Sequence, residues 1–104
     1  MAAILVQDAA APRIDDSYSY TRNRWGPEQA ERYIKGLFES FDGIERHAAT
    51  SRPIPAAFGV RGFFFRYQSH VVYWRRLSSG DIGIVTVLHE RMHQIDRLRE
   101  DFGF

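Results

Sequence analysis

The dipeptide Gly26-Pro27 sets the strongest limit on what this chain can fold into, because it separates two stretches of helical periodicity. Glycine can end one helix in a backbone conformation closed to other residues. Proline can open the next at its first position, where no backbone donor is needed. Upstream, Ile14, Tyr18, Thr21 and Trp25 recur at spacings of four, three and four, which predicts one face of a helix running from Arg13. Asp8 is placed to cap it, with Pro12 tolerated in the first turn. Downstream, Ala30, Ile34, Leu37, Phe38, Phe41 and Ile44 form the apolar stripe of a second helix, expected from Pro27 to about Arg46. Glu28 favours its N-terminus, and Glu28–Arg32 and Glu31–Lys35 are acid-first pairs four apart. A helical hairpin with a very tight corner follows.

The texture on either side is different. Ala2–Val6 is short and apolar and predicts a strand. After a connector from His47 to Ala57 with prolines at 53 and 55, Phe58–Tyr67 is rich in aromatics and Ser69–Leu77 in β-branched and aromatic residues. Ser78-Ser79-Gly80-Asp81 signals a hairpin turn. Ile82–Leu88 is a nearly continuous apolar run, as in a strand covered on both faces. Beyond Met92, Ile95, Leu98 and Phe102 share one face of a last short helix. The expected architecture is a single α+β domain over residues 1–104: an N-terminal strand, the helical hairpin, then a three-stranded antiparallel meander. The helices pack on one sheet face, since each buries only one stripe. The other face is expected to carry arginines.

A chain of 104 residues can bury one real core without a metal or disulfide. It has no cysteine, which excludes a disulfide scaffold, a thiol nucleophile and a thiolate zinc site and fits a reducing cytoplasm. No apolar run approaches the ~18 residues of a membrane span. Residues 1–10 lack the basic and long apolar regions of a signal peptide. The formal net charge of +1 argues against sequence-blind nucleic-acid binding. It is nonetheless a cancellation. Residues 1–51 carry six basic and eight acidic side chains; residues 52–80 carry five arginines (Arg52, Arg61, Arg66, Arg75, Arg76) and no acid; residues 81–104 carry three arginines and five acids. Lys35 is the one lysine among 14 basic residues. Arginine suits planar, multi-donor contacts. The middle segment therefore reads either as a solvated strand face or as a surface for an anionic partner.

Few motifs point to catalysis. His89-Glu90-Arg91-Met92-His93 matches H-E-x-x-H, but that motif binds zinc only on a helix, and here it ends a strand-like run. Ser69 and His70 are adjacent and in a strand face opposite ways, so His70 reads as a structural hydrogen-bonding residue. Gly59, Gly62 and Gly83 form no phosphate loop. The aromatics Phe63, Phe64, Phe65, Tyr67, Tyr73 and Trp74 cannot all face one side at period two. Either the helices and C-terminal segment cover them or they form a partner groove.

Taken together, three blocks resemble the ParE toxins of the RelE/ParE superfamily, from bacterial type II toxin–antitoxin modules. Tyr18-Ser19-Tyr20-Thr21 with Trp25-Gly26 and Glu28-Gln29-Ala30 is similar to the family's helix–turn–helix segment. Ser69-His70-Val71-Val72-Tyr73-Trp74-Arg75 is similar to its central strand. Ile84–Met92 is similar to its closing strand, which ends in L-H-x-R-M. Ala48–Arg52 keeps only the arginine of the family's P-x-x-G-R turn, His93 replaces a frequent Asp, and Gly62 stands where a second arginine is common.

The resemblance implies a toxin that inhibits DNA gyrase by binding, through its A subunit, and that a ParD-type antitoxin neutralises in a 2:2 or larger complex. It implies no catalytic residue, metal or cofactor, and no direct sequence-specific nucleic-acid contact. The second-half arginines and the C-terminal segment from Arg91 to Phe104 are the expected target-facing surface, with Arg61, Arg75, Arg91, Met92, His93 and Arg97 as its candidates. The antitoxin-binding residues are Tyr18, Trp25, Phe63, Phe65, Tyr67, Val72 and Trp74. The alternatives are a RelE-like ribosome-dependent mRNA nuclease and a non-toxic antitoxin-binding module. Against the nuclease, Lys35 lies on the second helix and no tyrosine follows Tyr73, although Arg61 and Arg75 could hold phosphate.

Overall fold

A computed structural model describes residues 3–46 and 51–103. Its elements are β1 (Ile4–Val6), α1 (Ala10–Trp25), α2 (Pro27–Asp42), β2 (Arg52–Pro53), β3 (Phe63–Tyr67), β4 (His70–Arg76), β5 (Ile82–His89) and α3 (Gln94–Asp101). The strands form one sheet in the order β1-β5-β4-β3-β2. β3, β4 and β5 are the antiparallel meander, with Phe65 opposite Val72 and Val72 opposite Val87. β1 joins the far side of β5 in parallel, Ile4 beside Ile82. The two-residue β2, too short to show a period, pairs with β3 from within the connector. Residues 47–50, which hold most of the stretch compared above with the P-x-x-G-R turn, lie outside the described residues.

Gly26 serves both helices of the hairpin. Its φ of 93° is closed to L side chains, its N–H bonds the Arg22 carbonyl at 2.8 Å, and its carbonyl accepts from Ala30 N–H at 3.1 Å. Two boundary expectations change. Asp8 does not cap α1: the helix starts at Ala10, whose N–H bonds the Gln7 carbonyl at 2.9 Å. α2 ends at Asp42, and turns carry the chain to Arg46. The buried stripe of α1 also differs. It runs through Ala10, Ile14, Ser17 and Thr21, while Trp25 is 63% exposed. Ser17 and Thr21 can face the core because each hydroxyl bonds a carbonyl one turn back, Ile14 at 2.7 Å and Ser17 at 2.9 Å. Counting apolar residues alone therefore rotates the helix wrongly.

The hairpin buries one sheet face around Tyr33, Leu37, Phe41, Val72, Trp74 and Ile84. The opposite face is not a bare arginine surface. α3 and a 3-10 turn at Ala56–Phe58 cover it, burying Ile54, Val60, Tyr73, Val85, Leu88, Leu98 and Phe102. This double cover resolves the aromatic run: Phe63, Phe65 and Tyr67 pack against the hairpin-side core, and Phe64 against the other. The expected arginine face divides as well. Arg75 lies over the Phe102 ring at 5.4 Å and Arg66 pairs with Glu90 at 3.2 Å. Arg76 instead approaches Glu45 at 3.8 Å, just past the hairpin, with its guanidinium over Trp74.

Gly62 shows how tightly the second layer is closed. A Cβ there would lie 2.7 Å from the Trp74 carbonyl oxygen and 3.2 Å from Ile54 Cδ1. Backbone in a paired strand cannot yield as a side chain can, so Gly62→Ala is expected to destabilise the fold by about 1–3 kcal/mol. Denaturant midpoints of the two proteins, at equal slope, measure this; an unchanged midpoint would contradict the close approach.

Candidate functional site

The residues expected to face a target come together on and around α3. β5 ends at His89, and the turn that follows places Arg91, Met92 and His93 at the start of α3. Arg97 is on its exposed side. Arg75 stacks on Phe102 just beyond its end, and Gly62, next to Arg61, would touch the same ring. The six residues therefore surround one short helix, although they come from the loop before β3, from β4, from the turn after β5 and from α3 itself. Arg99, not among the expected residues, joins them: a Cβ added at Gly59 would lie 3.8 Å from its guanidinium carbon. Ile95 is 44% exposed on the same helix. α3 also borders an open cavity of about 500 Å³ lined by Phe58, Met92, His93, Ile95 and Asp96. An exposed apolar side chain among arginines is a surface suited to macromolecular contact.

The antitoxin candidates divide. Val72 and Trp74 are 0% and 3% exposed in the core beneath the hairpin, so they are structural residues and not a docking surface. They were singled out as strand aromatics and β-branched residues, a pattern that cannot tell a covered face from an open one. Phe63 stacks on Trp74 with ring centroids 4.6 Å apart. Phe65 and Tyr67 are half-buried and reach a cleft of about 170 Å³ between the end of α2 and β3, lined also by Ser40, Gly43 and Ile44. Tyr18 ties α1 to α2 through Glu31 at 3.3 Å, and Trp25 projects from the corner with Arg24 at 5.5 Å from its ring.

H-E-x-x-H forms no shared helix face: His89 ends β5, and His93 immediately precedes α3. His89 lies instead beside His70, its cross-strand partner, at 5.2 Å between ring centroids. Both face a cavity of about 240 Å³ that Arg13, Asp16, Ser17, Tyr20, Val87 and Met92 complete. Several of its polar groups are engaged within the fold. His70 Nδ1 meets the Tyr33 hydroxyl at 3.0 Å. His89 Nδ1 accepts the Arg91 N–H at 3.1 Å, and Arg13 Nε donates to Asp101 at 2.9 Å. Burial, and then the neighbouring His89, push the His70 pKa down to about 4, so its imidazole is neutral near pH 7. Burial raises Tyr33 to about 12, keeping the phenol protonated. His70 is thus a hydrogen-bonded structural residue, as its place in the strand suggested.

These elements define a small α+β domain, with a helical hairpin on one sheet face and α3 on the other. Residues 4–94 match the family described as the ParE toxin of type II toxin-antitoxin system, parDE. The chain is 34% identical over 95 residues to Toxin ParE1 of Mycobacterium tuberculosis H37Rv, spanning 89% of this chain and 93% of that protein. It is 32% identical over 82 residues to Toxin ParE1 of Caulobacter vibrioides, spanning 77% and 80%. Its fold is shared with a chain of the chromosomal ParDE TA system from P. aeruginosa: TM-score 0.64 and 19% identity, over 86% of this chain and 96% of that one. The chain belongs to the ParE toxin family: it is a ParE-type toxin of a type II toxin–antitoxin system and acts without catalysis. No helix among the described residues is long and apolar enough to cross a membrane.

Proposed function

We propose that this toxin inhibits bacterial DNA gyrase by binding it, with the arginine-rich surface of α3 as the contact, and that a ParD-type antitoxin neutralises it. The carrying observation is the convergence of Arg61, Arg75, Arg91, His93 and Arg97 around α3, with Ile95 exposed among them. Family membership supports the gyrase target. The antitoxin engages the opposite side, through Trp25 and Tyr18 on the hairpin and Phe65 and Tyr67 in the cleft beside β3. An acidic, amphipathic tail that folds as it binds fits that surface, with apolar side chains for the cleft and carboxylates for Arg24 and Arg66.

Purified toxin added to gyrase and relaxed plasmid is expected to block supercoiling and leave broken plasmid, while mRNA in a translating extract stays intact. Cleaved mRNA with full supercoiling activity would replace this reading with the nuclease. A folded chain inactive in both assays would point to the non-toxic binding module.

A further inference from the structure

We infer that Arg13, Thr86 and Asp101 are positioning residues: a polar latch that fixes the orientation of α3 and so presents the toxin's target-facing surface. The inference rests on the assignment of that surface above.

The eight residues of α3 are too few to hold a helix alone. Its first residues receive no side-chain cap, and only Leu98 is buried within it, with Phe102 just after. Two apolar anchors on one stripe resist removal from the sheet, but they set the direction of the helix axis poorly, because burial is not directional. Direction comes from polar contacts at both ends. At the start, Gln94 accepts the Tyr73 hydroxyl at 2.6 Å and donates to the His89 carbonyl at 2.8 Å. At the end, Asp101 accepts Thr86 Oγ1 at 2.7 Å and Arg13 Nε at 2.9 Å, with a longer contact to the second Arg13 donor at 3.3 Å.

This last group joins three elements distant in sequence: the first turn of α1, the middle of β5 and the last turn of α3. The Asp101 side chain is 8% exposed and that of Arg13 18%. A two-donor guanidinium–carboxylate contact shielded from water is strong and geometrically exacting. Thr86 is the one hydroxyl in the buried run Ile82–Leu88, and it is itself fully buried. An apolar strand would fill that position with valine at no loss of packing. The hydroxyl serves Asp101.

The test uses substitutions outside the proposed contact surface. Arg13→Ala removes the cation, and Thr86→Val keeps shape and strand preference while removing the hydroxyl, so the second variant is expected to fold even where the first does not. Hydrogen exchange of the α3 amides is expected to quicken about ten-fold or more in Arg13→Ala and a few-fold in Thr86→Val. Exchange in α2 and β4 stays within two-fold. The toxin concentration that half-inhibits gyrase supercoiling of relaxed plasmid rises in the same order. Arg13→Lys, with one donor direction, recovers part of both effects. Unchanged α3 exchange in folded Thr86→Val and Arg13→Lys would overturn the latch. Faster exchange with undiminished inhibition would overturn its role in presentation. Wild-type toxin that leaves gyrase untouched would defeat the functional reading instead, and the exchange data would still decide whether the latch holds the helix.

Discussion

Trp74→Ala is expected to lower stability by about 3–5 kcal/mol, the range for emptying a large aromatic site in a close-packed core. The indole is 3% exposed and stacked on Phe63 at 24° between planes. Its Nε1 donates to Ser51 at 3.2 Å, and the Arg76 guanidinium lies over it. Its removal therefore opens a void between sheet and hairpin and frees the connector as well. Small domains hold only about 5–15 kcal/mol in total. A loss of this size in a domain of this length lowers the melting temperature by roughly 15 °C or more. Thermal melts followed by circular dichroism measure it. A shift of only a few degrees would mean that Trp74 is peripheral, as its first assignment to a binding surface had it.

The second large effect is on acid stability. His70 folds with a pKa near 4 from an ordinary value of 6.5. Between those values the unfolded chain takes up a proton that the folded chain refuses. The stabilising contribution is complete above pH 6.5 and is lost as pH falls towards 4. It amounts to about 3 kcal/mol at one pKa unit per 1.36 kcal/mol. Tyr20, Tyr33 and His89 pack around the ring, His89 adding to the downward push and Glu90 opposing it. His70→Asn can still meet the Tyr33 hydroxyl but cannot titrate. Stability plotted from pH 7 to 4 is expected to fall more steeply in the wild type than in His70→Asn. Parallel curves would show that His70 does not drive the acid transition.

The sequence carried the local features well. The two helices, the corner at Gly26, the turn at Ser78–Asp81 and the meander all rest on short-range patterns, and each is found. What it did not carry depends on distant partners. Thr86 looks like a flaw in an apolar run until Asp101 is seen to reach it. The stripe of α1 was rotated because Tyr18 and Trp25 count as apolar and Ser17 as polar, although the Ser17 hydroxyl is satisfied within the helix. Leu98 and Phe102 marked an amphipathic tail but not the sheet face that it covers. That gap assigned the arginines to an open surface, while Val72 and Trp74 were given to an antitoxin although the hairpin covers them. The site was legible as a set of residue types in the second half. Its focus on α3 was not, because Arg61 and Arg75 reach that helix only through the pairing of β3 with β4.

The parallel pairing of β1 with β5 has a consequence for how the protein is made. Ile4 waits for Ile82, and Arg13 for Asp101. Both partners are synthesised long after the helical hairpin, which can form as soon as it emerges. Such long-separation contacts slow folding and fall late in it. A nascent chain therefore carries its hairpin well before it has a closed sheet or a docked last helix.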